Sequence, residues 1–398
     1  MGRRPKGASQ VVRATLAPSG GEHQARRLAA AARGSELDGL AQVAHFHGVE
    51  GYIHRAVGDC EGVPAAERRA LGSLRMGTIM VHLRRMNDLK LVRDTFLDAG
   101  IPWLVFKGPV LAERIHGAVE LRSYGDVDVL VDPRRLGDAI DALEAAGGVT
   151  LDRNWDLLCR TLKGEIHVRL PSGTTLDLHW HMLNSARLRE RFPVDVFRLL
   201  DETRQVTVGG FDVPTLGPAD SIIYVSLHAM LSGGHRLVWL KDVERLLAVE
   251  PWTPDEVESA ARHWGARLVF LTALQRVAHV IGVPPVVSQS FRWRLRDRPW
   301  AALAAATWRL SAVEHERGRG SVGRLVSRSV RQDGLTSLGE LARRSAGFLR
   351  DGGNRVAPID RTSMDPSDPG SILFAAGGER AKHEYLTAVA TQGVRRGG

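Results

Sequence analysis

Leu121-Arg-Ser-Tyr-Gly-Asp-Val-Asp-Val-Leu-Val-Asp132 is the stretch on which the reading of this chain turns. Val127, Val129 and Val131 are β-branched and recur at every second position, as in a strand with one buried face. Alternate side chains of a strand share a face, so Asp126, Asp128 and Leu130 point one way while the valines point into the core. Two carboxylates about 7 Å apart along one face repel each other unless a cation lies between them. A divalent metal is the natural partner, because Mg²⁺ takes hard oxygen ligands and is commonly shared between carboxylates and substrate phosphates. The plainer alternative is a pair of solvated acids where a strand begins.

Downstream, Thr174-Thr-Leu-Asp-Leu-His-Trp-His-Met182 alternates cleanly. Leu176, Leu178 and Trp180 share one face, and Thr175, Asp177, His179 and His181 share the other. Asp177 is then a third acid, on a strand able to pair beside the first. Three carboxylates on neighbouring strands suit a two-metal site, in which one ion acidifies an attacking hydroxyl and the other steadies a triphosphate and its leaving pyrophosphate. Asp177 reads as a metal bridge or as the base at the acceptor hydroxyl. His179 reads either as a residue orienting the ligands or as a polar strand position. Upstream, the apolar run Ile101-Pro-Trp-Leu-Val-Phe106 predicts a buried strand ending at Lys107-Gly108. A glycine lets the backbone approach a phosphate, and a lysine there adds a point charge. Arg122 has the planar fork for a triphosphate, and Tyr124 either stacks on a base or packs.

Around this centre the chain divides by composition. Residues 1–20 are basic and aperiodic and predict a flexible N-terminus. Residues 21–98 carry helical periodicity, with one pattern from Ala29 and a longer one over Ala65–Leu97 that begins after Pro64. Residues 99–215 read as a compact α+β unit. Its elements are a helix from Pro109 to about His116, another over Pro133–Ala146, strands within Thr161–Leu170 and Thr174–Met182, and a hairpin turning at Gly209-Gly210. Residues 216–316 return to helix, through Asp220–Leu231, Arg236–Val249, Val257–Ile281 and Ala301–Glu316. Residues 317–398 are Gly-, Ser- and Arg-rich and predict a basic, partly disordered tail, with helices possible at Leu335–Leu349 and Arg380–Thr391. If a helix begins near His235, then Trp239 and Asp242 share a face with it. That face either closes over the cleft, with His235 and Trp239 touching nucleotide or acceptor, or anchors the core between units.

Composition narrows the setting. The 398 residues are 43% apolar and 25% charged, an ordinary globular balance with room for more than one unit. The longest apolar run falls short of the roughly 20 residues that cross a bilayer, and no apolar segment follows the basic start as it does in a secretory signal. Cys60 and Cys159 are the only cysteines, which excludes a disulfide scaffold or a Cys-rich zinc site and fits a reducing cytoplasm. A net charge of +9 invites an RNA partner. Only six of the 54 basic residues are lysines, however, a bias that a GC-rich genome also produces.

Phe106-Lys-Gly108, Arg122-Ser-Tyr-Gly-Asp-Val-Asp-Val-Leu-Val131 and Leu176-Asp-Leu-His-Trp180, together with His228, His235 and Trp239-Leu-Lys-Asp242, resemble the bacterial "uncharacterised nucleotidyltransferase" family of the polymerase-β-like superfamily. The likeness spans roughly residues 20–300. It implies a small mixed sheet with flanking helices, and transfer of a nucleoside monophosphate from an NTP to an acceptor with Mg²⁺ or Mn²⁺. Asp126, Asp128 and Asp177 would be the catalytic and metal-binding acids. Lys107, Gly108, Arg122, Tyr124, His179, His235 and Trp239 would line the substrates. Lys107-Gly108 stands where the superfamily has Gly-Gly or Gly-Ser, so a serine contact to phosphate is missing, and the spacing from Gly108 to Asp126 is longer than usual. Relatives of this kind occur beside natural-product pathways, which favours a small-molecule or peptide acceptor. The alternatives are an RNA-modifying enzyme of the toxin type and a degenerate nucleotide-binding scaffold, the latter opposed by the intact trio of acids.

Overall fold

The computed structural model describes residues 11–12, 15–16, 37–57, 62–283, 285–310, 322–350 and 365–394. Most of the flexible N-terminus expected over residues 1–20, the start of the helix expected from Ala29, and Cys60 lie outside the described residues. Helices α1 (Leu40–His47), α2 (Glu50–Val57) and α3 (Ala65–Asp98) precede the sheet. Pro64 caps α3, as the sequence predicts, and its 34 residues give a rod about 50 Å long.

Five strands form one mixed sheet in the order β1-β2-β5-β4-β3. They are β1 (Trp103–Val105), β2 (Val127–Val131), β3 (Val149–Thr150), β4 (Glu165–Arg169) and β5 (Thr175–His179). The β2–β5 pair is parallel and the others are antiparallel. A parallel neighbour cannot be reached by a tight turn. The β2-to-β5 connection accordingly holds α4 (Leu136–Ala145), β3, α5 (Trp155–Thr161) and β4. The start of α4 is set by Pro133 and by Asp132, whose side chain accepts from the Arg134 N–H at 2.8 Å, and its end by Gly147 at φ +89. Short helices α6 (Ala186–Arg189) and α7 (Val196–Asp201) lead to a separate hairpin of β6 (Arg204–Val208) and β7 (Phe211–Thr215). Its Gly209 and Gly210 take φ +56 and +82, as a two-residue hairpin turn requires.

Nine further helices complete the chain as described: α8 (Pro218–Leu231), α9 (Leu237–Val249), α10 (Pro254–His263), α11 (Arg267–Val280), α12 (Pro285–Ser290), α13 (Arg298–Leu310), α14 (Val322–Ser329), α15 (Gly334–Arg350) and α16 (Gly378–Val394). The single helix expected over Val257–Ile281 is two, because Gly265 at φ +58 turns the chain between α10 and α11. The helix expected from Pro109 to about His116 is present and is π-type over Leu111–Ile115. Helix α5, only seven residues long and capped by Asn154, carries too little periodicity to be anticipated.

The two faces of the sheet differ completely. Val127, Val129, Val131, Ile166, Val168, Leu176, Leu178 and Trp180 are buried with Leu89, Val92 and Phe96 of α3, Ile140 and Leu143 of α4, and Tyr385 and Val389 of α16. The opposite face carries polar groups, and at its β1–β2 side Leu104, Phe106 and Leu130 join a second core made by α1, α2 and helices α8 to α15. Over the described residues 365–394, the composition that suggests a tail conceals an element of the sheet's core. Asn154 Nδ2 donates to Pro369 O and Ser371 O at 3.0 and 2.8 Å, and the buried Tyr385 hydroxyl donates to Lys163 O at 2.8 Å while accepting from Trp180 Nε1 at 2.9 Å.

Tyr385→Ala is expected to lower unfolding stability by about 3–5 kcal/mol, as truncating a buried aromatic does. Tyr385→Phe, which deletes one hydroxyl and leaves Trp180 its second acceptor, should cost only about 1 kcal/mol. Urea unfolding measures both, and an alanine variant as stable as the parent would show that α16 does not support the sheet.

Candidate active site

The parallel pairing of β2 with β5 sets Asp128 opposite Asp177 and Leu130 opposite His179, and the antiparallel pairing of β4 with β5 sets His167 opposite Asp177 and Glu165 opposite His179. Pleating brings Asp128, Asp177, His179, Glu165 and His167 to the same side of three adjacent strands. Asp128, Asp177 and His179 each offer a ligand atom, and the three atoms lie within 4.8 Å of one another. Asp126 stands one residue before β2 and is half-buried. Asp128 is fully buried rather than solvated, at 2% exposure.

Around Asp128 the charges are close. Lys107 Nζ lies 2.5 Å from Asp128 Oδ1, and His179 Nε2 lies 3.4 Å from the same oxygen and 3.4 Å from Glu165 Oε2. Glu165 also meets Lys163 Nζ at 3.2 Å, and His167 is fixed from behind by the buried Asp152, its Nδ1 2.9 Å from Oδ1. Burial alone would raise the Asp128 carboxyl, but Lys107 and His179 hold it well below the usual range. Burial, then the Asp128, Glu165 and Asp126 carboxylates, push Asp177 up to about 7. The Asp128 charge, then burial, raises Asp126. Burial works against ionisation of Glu165, yet His179, Lys163 and His167 bring it down to about 2. The face is therefore short of positive charge at Asp126 and Asp177. Both ring nitrogens of the buried His179 lack a hydrogen-bond partner among the described residues. A divalent cation fits both features: it would relieve the carboxylate repulsion and take up an imidazole nitrogen.

The other expected residues are distributed as follows. Gly108 takes φ +54, and a Cβ there would sit 3.2 Å from Asp126 O and 3.3 Å from the Tyr124 ring, so the loop before Asp126 closes onto a glycine. The Tyr124 hydroxyl bonds His82 Nδ1 at 2.8 Å, and His82 Nε2 bonds Glu113 at 2.9 Å, which holds the tyrosine ring against Gly108. The Arg122 fork, expected on a triphosphate, is engaged by Asp242 of α9, with Nε and Nη2 donating at 2.7 and 2.9 Å. Its Nη1 is buried and unpartnered among the described residues. Asp242 also meets His116 Nε2 at 2.8 Å, and His116 Nδ1 meets the Tyr52 hydroxyl at 2.9 Å.

His235 precedes α9 instead of lying within it, and the charges acting on it are those of Arg324, Arg328, Arg236 and Arg276; burial, then those arginines, lowers it to about 3. The half-buried Trp239 ring stands 5.1 Å from His235 and 5.5 Å from His228. Burial, then Lys107, lowers His228 to about 3, and its ring stands 6.1 Å from that of Tyr224.

Glu165, His167 and Tyr224 belong to this site and were not anticipated. The alternation Glu165-Ile-His-Val-Arg169 carried the signal for the first two, since its polar positions share a strand face. Nothing local marks Tyr224, whose ring packs 5.0 Å from Phe106.

Burial opposes ionisation of Asp242, but Arg122 and His116 outweigh it and depress its carboxyl well below the ordinary range. A depressed carboxyl adds stability that is complete above its unfolded value, roughly pH 4, and is lost as the pH falls through its folded value. Asp242→Asn leaves Arg122 buried without its anion and should cost about 3–5 kcal/mol near neutral pH. The variant should also lose less stability than the parent on acidification below about pH 4. Parallel acid profiles for the two proteins would exclude the pair as a source of stability.

The family described as "Uncharacterised nucleotidyltransferase" matches residues 34–282. No curated protein matches the chain. Among solved structures, the solution structure of the antibiotic-resistance factor ANT(2'')-Ia is similar at 15% identity over 54% of this chain and 92% of that one, with a TM-score of 0.26, a likeness too distant to bear on the site. The family match covers well over half of the 398 residues, and the chain belongs to the uncharacterised nucleotidyltransferase family.

Proposed function

We propose that the chain transfers a nucleoside monophosphate from an NTP to a hydroxyl of a small-molecule or peptide acceptor, using a divalent cation held by Asp126, Asp128 and Asp177. The observation that carries this reading is the register of β2 on β5, which sets acids directly opposite each other on one polar face. The unpartnered His179 nitrogens and the raised carboxyls of Asp126 and Asp177 support a cation there. When bound, a divalent cation of the Mg²⁺ or Mn²⁺ type neutralises phosphate charge and acidifies a coordinated hydroxyl. Residues 99–215 form the catalytic unit in this reading, with the helical units 21–98 and 216–316 supplying walls and residues 317–398 a partly docked tail.

The residues then divide the work. Lys107 reaches the phosphates from the end of β1, and Gly108 lets the backbone approach them. Arg122 offers its remaining Nη1, held in place by Asp242. Tyr124 fixes the loop carrying Asp126, and Trp239 provides an apolar wall on which a base or acceptor rests, with His235 at its far edge. The acceptor oxygen forms a bond to the α-phosphorus as the bond to the bridging oxygen of pyrophosphate breaks. Asp177, beside the buried Asp128, takes the proton of that hydroxyl. No helix among the described residues is long and apolar enough to cross a membrane, and we place the reaction in the cytoplasm.

Each of four radiolabelled NTPs, incubated with divalent cation and either cell metabolites or total RNA, identifies donor and acceptor. Label in small products supports the reading. Label confined to RNA, with binding that weakens steeply with salt, would replace it by the RNA-modifying alternative. Asp126→Asn should abolish pyrophosphate release at an unchanged melting temperature. Asp177→Ala should lower turnover by roughly 10²–10⁴ while sparing NTP binding, the usual scale for a lost general base. A variant at either position that keeps the parental rate would remove that acid from the site.

A further inference from the structure

His179 lies at the centre of the polar face, with Nε2 near two carboxylates and no well-formed hydrogen bond to either. It is 5% exposed, and neither ring nitrogen has a hydrogen-bond partner among the described residues. Buried polar atoms are almost always satisfied, so one left open beside carboxylates marks a missing partner. The ring is not free to turn away, because Phe106 packs edge-on against it at 5.1 Å and β5 is paired on both sides.

The separations are informative. Nε2 stands 3.4 Å from Asp128 Oδ1 and 3.4 Å from Glu165 Oε2, beyond the usual 3.2 Å limit of a hydrogen bond to oxygen. Two ligands held about 2.1 Å from one ion, at angles between octahedral and tetrahedral, are roughly 3.0–3.4 Å apart. The distance is thus long for a hydrogen bond and suitable for neighbouring ligands. Asp128, Asp177 and His179 are also the residues whose ligand atoms converge within 4.8 Å. Asp126, Asp128, Asp177 and Glu165 outnumber Lys107 and Lys163 on this face.

We propose that His179 is a direct metal ligand, so that the site is a mixed nitrogen–oxygen one that binds a first-row transition ion such as Mn²⁺ more tightly than Mg²⁺. Mg²⁺ takes oxygen ligands and gains little from an imidazole, whereas first-row transition ions accept imidazole nitrogen. The inference rests on the proposed metal-dependent reading and adds the ligand set and the class of ion. His167 is the imidazole from which His179 must be distinguished. Its Nε2 is 3.8 Å from Asp177 Oδ1 and its Nδ1 is held by Asp152, an arrangement common behind a metal-bound imidazole, but it lies one strand further from Asp128.

The full-length protein loaded with Mn²⁺ alone, without nucleotide, tests this by pulsed electron paramagnetic resonance. The expected spectrum of the parent shows a ¹⁴N coupling from a directly bound imidazole. That coupling should vanish in His179→Gln and persist in His167→Gln. Mn²⁺ affinity should fall in His179→Gln by at least the roughly 10–100-fold that loss of even an outer partner of a ligand costs, while Mg²⁺ affinity changes little. Mn²⁺ bound by the parent without a nitrogen coupling would overturn the inference and leave an all-carboxylate site, and with it the proposed function, intact. A coupling that survives in His179→Gln and vanishes in His167→Gln would move the ligand to β4 and overturn the assignment. Mn²⁺ that stays free in solution with the parent would overturn both the inference and the metal dependence on which it rests.

Discussion

Asp128 and Asp177 face each other across adjacent parallel strands in a site where Asp128 is almost completely buried. Like charges in such a setting raise each other's proton affinity, and the surroundings determine which one yields. Lys107 is committed to Asp128 and the His179 ring lies 3.4 Å from it, so Asp128 stays ionised and the repulsion is displaced onto Asp177 and Asp126. The asymmetry follows from position. Lys107 comes from the end of β1, the neighbour of β2, and so reaches Asp128 first.

Keeping two acids opposed requires that the strands bearing them cannot slip, because a one-residue shift would turn every side chain to the other face. On the apolar side, the valines of β2 and the leucines of β5 lock into one core. At the beginnings of both strands a single residue of α3 acts as a clamp. Arg85 donates to Gly125 O at 2.9 Å, ahead of β2, and to the Thr174 hydroxyl, ahead of β5, and that hydroxyl in turn donates to Asp88. One helix thus fixes the register of the two acid-bearing strands from outside the sheet. This gives α3 a role that its helical periodicity alone does not reveal.

What the sequence made legible was local. Alternation in Val127–Val131 and Leu176–Trp180 identifies strands and the side each acid takes, because period two is a property of the strand itself. The Pro133 start of α4 and the Gly209-Gly210 turn were legible for the same reason. Pairings between distant segments were not legible. Nothing near Arg122 announces Asp242, 120 residues away, and nothing in the Gly-rich C-terminal composition announces that Tyr385 lies under Trp180. Glu165 and His167 are an intermediate case. Their alternation was visible, but their membership of the site depends on β4 pairing with β5, which alternation does not specify.

The Arg122–Asp242 pair shows how the flanking helices become part of the chemistry. Arg122 ends the 3₁₀ turn before the Asp126 loop, while Asp242 lies within α9, and Asp242 is held from its other side by His116 and, through it, Tyr52 of α2. Three separate parts of the chain therefore meet on one buried carboxylate. Such a pair contributes little net stability over an apolar contact of equal volume, since both charges are desolvated. What it does supply is direction: two of the three guanidinium nitrogens are held by Asp242, and the third, Nη1, is left with a fixed position and no partner among the described residues. An arginine so constrained loses little further side-chain entropy on meeting an anion. That constraint is a physical reason for helices α2 and α9 to pack where they do, against the loop that carries Asp126.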